Sequence, residues 1–294
     1  MNITAPREDR TSAGVFLMAL AVVFFTCIDT TAKWLILAGL PALQVVFARY
    51  LGHFIFALVF FTTREGLSAF RTQSPWQQAL RAGFLMGSTI CNFVALQYLP
   101  ITVTTTIMFA GPIVITLLAI PLLGEQVGIR RISAVCVGFL GVLVVMQPWG
   151  TAFHPAMFLN IAALTLASLY FIMTRRMAGK ESNASQQLWA SGLATLALLP
   201  LAASNWVWPQ GSDWFGFCII GAFGAFAHIS ATTAHRLADA SILAPVIYIQ
   251  IFLAALAGVL VFDTWPTVWT LAGGLIIVAS GLYIWHRERV KTSV

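Results

Sequence analysis

Asp29 and Lys33 stand four residues apart in one apolar stretch, and Arg49 and His53 stand four apart in the next. If these stretches cross a bilayer, each ionisable side chain costs about 2.5–3.5 kcal/mol on insertion scales and needs a partner or a purpose. The i, i+4 spacing puts Asp29 and Lys33 on one helix face, which suits an ion pair that locks the helix or gates its outer mouth. Lys33 is also near the outer end, where an ammonium can snorkel to water. Direct contact with a substrate or a proton is the other reading of the pair. Arg49 has two readings as well: a structural bond to helix-end carbonyls or to Asp29, or capture of a substrate carboxylate.

Polar and aromatic residues recur at helical spacing in the neighbouring stretches. They are Ser88 and Asn92, then Thr102, Thr105, Thr106 and Phe109, then Asn160, Ser168 and Tyr170. His228, Thr232 and His235 follow at i, i+4, i+7, and Pro245, Tyr248 and Gln250 close the series. For any one of these residues the plain role is glue between helices, worth roughly 0.6 kcal/mol. As a set they resemble the lining of a cavity. Asn92, Thr106, His228 and Gln250 would supply polar contacts. Met86, Met108, Phe109, Tyr170 and Tyr248 would supply soft or aromatic walls. Such a mixture suits amino acids, whose backbone groups need a few fixed contacts and whose side chains need an adaptable surface. Gly111-Pro112 should interrupt its helix and free a carbonyl near Met108.

Enzyme and motor signatures are absent from the chain. Gly179-Lys180 lacks the upstream glycine of a phosphate-binding loop and runs into Glu181. No G-x-S-x-G or H-E-x-x-H occurs. His228 and Ser230 are two apart on a helix and diverge, so they do not make a nucleophile and its base. Cys27, Cys91, Cys136 and Cys218 share no metal-binding spacing and are expected as reduced, buried thiols. No metal, no cofactor and no enzymatic activity are therefore expected.

The elements that must position these residues follow from composition. Of 294 residues 59% are hydrophobic and 9% charged. A soluble domain carries roughly 25% charged residues, so a soluble enzyme and a disordered chain are both excluded. Ten apolar stretches are long enough to span a bilayer, over 14–37, 41–63, 79–99, 101–123, 129–148, 155–175, 186–204, 214–236, 239–262 and 266–286. The fold class is an all-α integral membrane protein. The net charge of +6 forms no stripe on a soluble module, so no nucleic acid is expected as partner.

Fourteen of the sixteen Lys and Arg residues fall on one side of this ten-span topology, and the outer loops contain none. Both termini are thus expected in the cytoplasm. The chain also repeats itself. Leu123-Gly124-Glu125 and Val261-Phe262-Asp263 close equivalent spans, and Glu125 and Asp263 are 138 residues apart. Each is followed by a glycine-rich span, with Gly138 and Gly141 in the first and Gly273, Gly274 and Gly281 in the second. Gly83 and Gly87 form a GxxxG in the third span, expected to pack closely on a neighbour. Five spans per copy is an odd number, so the two repeats, 13–148 and 155–286, would run through the membrane in opposite senses. Inverted repeats are common among secondary transporters, whose substrate site lies near the midplane between the halves.

Phe47-Ala48-Arg49-Tyr50, Asn92-Phe93, Tyr98-Leu99-Pro100, Gly111-Pro112, Gly124-Glu125 and Arg130-Arg131 together resemble the EamA family of the drug/metabolite transporter superfamily. The resemblance covers both repeats and is looser in the second, where Asp263 replaces a glutamate and Gln250 a proline. It implies two five-helix modules, an inner-membrane location and export of small metabolites. The overall look is that of bacterial amino-acid exporters of the YddG type. The implied partners are amino acids, the lipid bilayer and, as an open option, a second copy of the chain in a homodimer. Drugs and nucleotide-like metabolites are the alternative cargo, although a nucleotide diphosphate would want more cationic groups than Arg49.

Overall fold

A computed structural model describes residues 11–123, 128–177, 180–238 and 240–292. Arg7, Arg10 and Gly124-Glu125 lie outside these, as do the side chains of Arg131, Arg175, Arg236, Arg287, Arg289 and Lys291. Among the described residues the chain is helical throughout its ordered elements. These are α1 (Thr11–Leu37), α2 (Ala42–Glu65), α3 (Pro75–Leu96), α4 (Ile101–Met108), α5 (Gly111–Leu123), α6 (Ile129–Met146), α7 (Met157–Met177), α8 (Asn183–Ala203), α9 (Asp213–Leu237), α10 (Ala240–Ile247), α11 (Ile249–Phe262) and α12 (Val268–Thr292). A 3₁₀ turn, Gly66–Phe70, follows α2.

Eight helical segments among the described residues are long and apolar enough to cross a membrane, and Ile132–Met146 is a shorter apolar helix. α8 falls short of that set despite its 21 residues. Its opening turns carry Asn183, Ser185, Gln186 and Gln187. Local signals set the helix ends. Pro41 and Pro100 immediately precede α2 and α4. Pro75 opens α3, where its missing N–H costs no hydrogen bond.

Two helices are broken. Pro112 has no N–H to close on Met108, and the chain turns at Phe109 and Ala110 before α5 begins. The second break, at Tyr248 between α10 and α11, was not expected. Pro245 lies inside α10, three residues before this break, so its missing N–H falls on the Ser241 carbonyl and not at Tyr248. The two breaks meet: the Phe109 and Tyr248 rings are 5.4 Å apart.

α1 lies along α9, α3 along α7, α6 along α12, and α2 is flanked by α8 and α9. One buried cluster joins α1, α2, α3, α8 and α9, and a second joins α4 to α7 with α10 to α12. Glycine sets the closest crossings. A Cβ on Gly52 would lie 2.8 Å from the Gly221 Cα, so α2 and α9 touch backbone to backbone. Gly141 and Gly273 play the same role between α6 and α12. Gly83, by contrast, has nothing within 4 Å of its Cβ direction, so only Gly87 of the expected GxxxG contacts a neighbour, Leu166.

Candidate functional site

Arg49 lies two turns into α2 and is 5% exposed. Its Nη1 donates to the Thr89 hydroxyl at 3.3 Å, and its Nη2 lies 3.3 Å from His228 Nε2. An arginine has no acceptor, so Nε2 must be the acceptor, which places the proton of a neutral His228 on Nδ1. The guanidinium also stacks 4.7 Å from the Tyr50 ring. Thr89 donates to the Leu85 carbonyl at 3.0 Å and so accepts from both Arg49 and Tyr50, whose hydroxyl is 2.9 Å away. His53 stacks on His228, with centroids 5.5 Å apart and planes inclined by 15°, and Phe25 meets His228 edge-on. Arg49 thus bonds neither helix-end carbonyls nor Asp29.

Arg81 falls at the very start of the expected third span, 79–99. α3 begins four residues before the expected start at 79, so Arg81 falls in its second turn, 1% exposed. It donates to the Thr174 hydroxyl at 2.8 Å, the Gln186 carbonyl at 3.1 Å and the Tyr170 hydroxyl at 2.9 Å. It thereby ties α3 to α7 and α8. Tyr170, expected as a cavity wall, is an acceptor for this guanidinium. Ser74-Pro75 carried the missing signal, since proline favours the first helical position.

The expected Asp29–Lys33 ion pair is not formed. Asp29 accepts from Asn92 Nδ2 at 3.2 Å, and Asn92 accepts in turn from Asn160 Nδ2 at 3.0 Å. This chain of amides and carboxylate spans α1, α3 and α7. Lys33 turns the other way and donates to the carbonyls of Leu96 and Leu99 at 3.4 and 2.5 Å, with its ammonium 5.5 Å from the Phe262 ring. The four-residue spacing permits the pair. Capping the end of α3 wins because those carbonyls have no helical partner. Lys33 also borders an open recess of about 760 Å³ that includes Trp34, Asp263 and Thr264.

The other candidates are scattered. Thr106 donates to the Thr102 carbonyl of its own helix at 2.6 Å, which commits its one proton. Phe109 and Tyr248 form the aromatic contact between the two breaks. Asp29, Met86, Asn92, Met108 and Gln250 remain partly exposed, and His228 is buried in the Arg49 centre. Among the described residues no three His, Cys, Asp or Glu side chains group as a metal site.

The profile of the EamA-like transporter family matches residues 12–147 and again residues 154–285. The chain belongs to the EamA family. This EamA protein is a membrane transporter and not an enzyme. It is 27% identical over 95% of its length to the S-adenosylmethionine uptake transporter of Rickettsia prowazekii, covering 95% of that protein. It is 29% identical over 98% of its length to the riboflavin transporter of Rhizobium johnstonii, covering 96% of it. The pseudopaline exporter CntI of Pseudomonas aeruginosa is 24% identical, with 92% of this chain and 95% of that one aligned. One solved crystal structure shares the fold, with a TM-score of 0.65 at 18% identity over 92% of this chain and 95% of the other.

Proposed function

We propose that this EamA protein carries a metabolite with an aromatic ring system and polar groups across the inner membrane by alternating access. Two inverted five-helix repeats, 13–148 and 155–286, rock about a site between them, and both termini are cytoplasmic. The observation that carries the reading is the meeting of the two helix breaks. Ala110 and Tyr248 are 138 residues apart, the same offset as Glu125 and Asp263. Interrupted helices in corresponding positions of two halves are a pointer to a transport site. The packing supports the same mapping. Exchanging the halves turns the α1–α9 contact into α7–α3 and that of α1 with α10 and α11 into that of α7 with α4 and α5, all of which are present.

Phe109 and Tyr248 give such a solute a flat aromatic contact, and the Asp29–Asn92–Asn160 chain gives it polar partners. The relatives named for S-adenosylmethionine and riboflavin favour heterocyclic metabolites of this kind. Amino acids meet the same walls and are the narrower reading, one for which none of the relatives described above is named. The test is counterflow in proteoliposomes with labelled riboflavin, S-adenosylmethionine, tryptophan and phenylalanine. Saturable accumulation of a heterocyclic solute is expected, with Tyr248→Ala or Phe109→Ala reordering the preferences and Asn92→Ala weakening all of them. Accumulation of tryptophan and phenylalanine alone would restore the amino-acid reading. No accumulation of any of the four would refute this one.

A further inference from the structure

Arg49 and Arg81 are both buried, and every partner they reach by hydrogen bond is neutral. The acidic side chain whose field reaches Arg49 is Asp29, and its Oδ1 is already held by Asn92. Among the described residues Arg49 thus has one carboxylate within reach, and Arg81 is a second buried guanidinium held by neutral groups. A buried cation with no adjacent counter-charge is costly unless a ligand supplies one.

Arg49 is also incompletely satisfied. Its Nε–H has no hydrogen-bond partner, and neither ring nitrogen of His53 has one, although His53 is only 2% exposed. Gln187 approaches the His53 ring without closing a bond of normal geometry. The side chains that carry these groups border one notch, with His53 Nδ1 on its wall. A Cβ built on Gly224 would lie 3.8 Å from Arg49 Cγ, His53 Cβ and His53 Nδ1, so the missing side chain keeps this space clear. Buried donors left without acceptors in a native interior call for an explanation.

We propose that the notch between Arg49, His53 and Gly224 is an oxyanion subsite, and that the transported solute carries a carboxylate or phosphate group. An oxygen of that group accepts from Arg49 Nε–H and from a His53 N–H, a charge-assisted arrangement of the kind guanidinium favours. Arg81 adds positive field from the neighbouring helices without touching the ligand. The assignment deepens the transport reading and rests on it for the identity of the ligand as cargo.

The test is thermal unfolding of the full-length protein in nanodiscs, titrated with sodium formate, sodium phosphate and sodium chloride at matched ionic strength. A saturable rise of about 2–4 °C is expected with formate or phosphate and not with chloride. A formate response assigns the carboxylate class and a phosphate response the phosphate class. Gly224→Ala should abolish the rise, because the added methyl fills the notch. At 3.8 Å it does so at ordinary contact distance and without displacing its neighbours. Arg49→Lys should weaken the rise, since it keeps the charge and loses the Nε–H. If Arg49→Lys does not fold, Gly224→Ala decides alone. A response equal to that of chloride, or one retained in Gly224→Ala, overturns the proposal. Counterflow keeps the two readings apart. Transport of riboflavin without any oxyanion response sinks the subsite alone, whereas an oxyanion response without counterflow of any solute sinks the transport reading alone.

Discussion

The α2–α9 crossing gives the sharpest test of how this bundle is assembled. In Gly221→Ala the new Cβ would lie 2.8 Å from the His53 backbone nitrogen and closer still to Gly52. Both obstacles are backbone, so no side chain can swing aside, and the helices must separate by about 1 Å to restore contact distance. Overpacking of this kind costs about 1–3 kcal/mol. The shift also reaches Arg49 and His53, and stretching the 3.3 Å bond from Arg49 to His228 removes a further ~1.5–3 kcal/mol. Alanine's better helix propensity returns about 1 kcal/mol. The net loss is about 2–5 kcal/mol, which lowers the unfolding temperature by roughly 5–15 °C. Gly224→Ala, one turn further along α9, meets its neighbours only at 3.8 Å and should unfold at or slightly above the wild-type temperature. The assay is tryptophan-fluorescence melting of both variants in the same detergent. Equal melting temperatures for the two variants would show that the backbone crossing is not the determinant argued here.

Because Asp29 and Lys33 bond different partners, the stability losses of Asp29→Asn and Lys33→Met should add to within about 0.5 kcal/mol in a double-mutant cycle; strong coupling would restore the ion pair. Glu181 Oε1 accepts from the Thr72 hydroxyl and from the backbone N–H groups of Gln73 and Ser74 at 2.8–3.0 Å. Glu181→Ala should therefore speed hydrogen exchange across residues 72–74 by at least about tenfold, the equivalent of 1.4 kcal/mol, and unchanged exchange would remove this latch. In the proposed orientation Ser212→Cys reacts with an impermeant thiol reagent in intact cells and Lys180→Cys does not. The reverse pattern would invert the topology.

Much of the candidate site hung on one boundary. An expected start at 79 put Arg81 at the very edge of the span, where a basic residue needs no account. A start at Pro75 turns the same residue into a buried tie between three helices. The break at Gly111-Pro112 was legible because proline lacks a donor and announces the interruption locally. The break at Tyr248 was not, because Gln250 stands at the position equivalent to Pro112 and has the backbone donor that a proline lacks.

Membrane class, family and the polar character of the third, fourth, eighth and ninth spans were determined by the sequence alone. Hydropathy, charge and motif spacing are properties of neighbouring residues, and the bilayer acts on each span separately. The choice of partner was decided only in three dimensions. Asp29 had Lys33 within one turn and took Asn92, 63 residues away; Arg49 took His228, 179 residues away. Those distances depend on how closely helices approach, and here the approach is fixed where Gly52 meets Gly221. Helical spacing says which residues share a face. Which face meets which is decided by packing among segments that the sequence holds far apart.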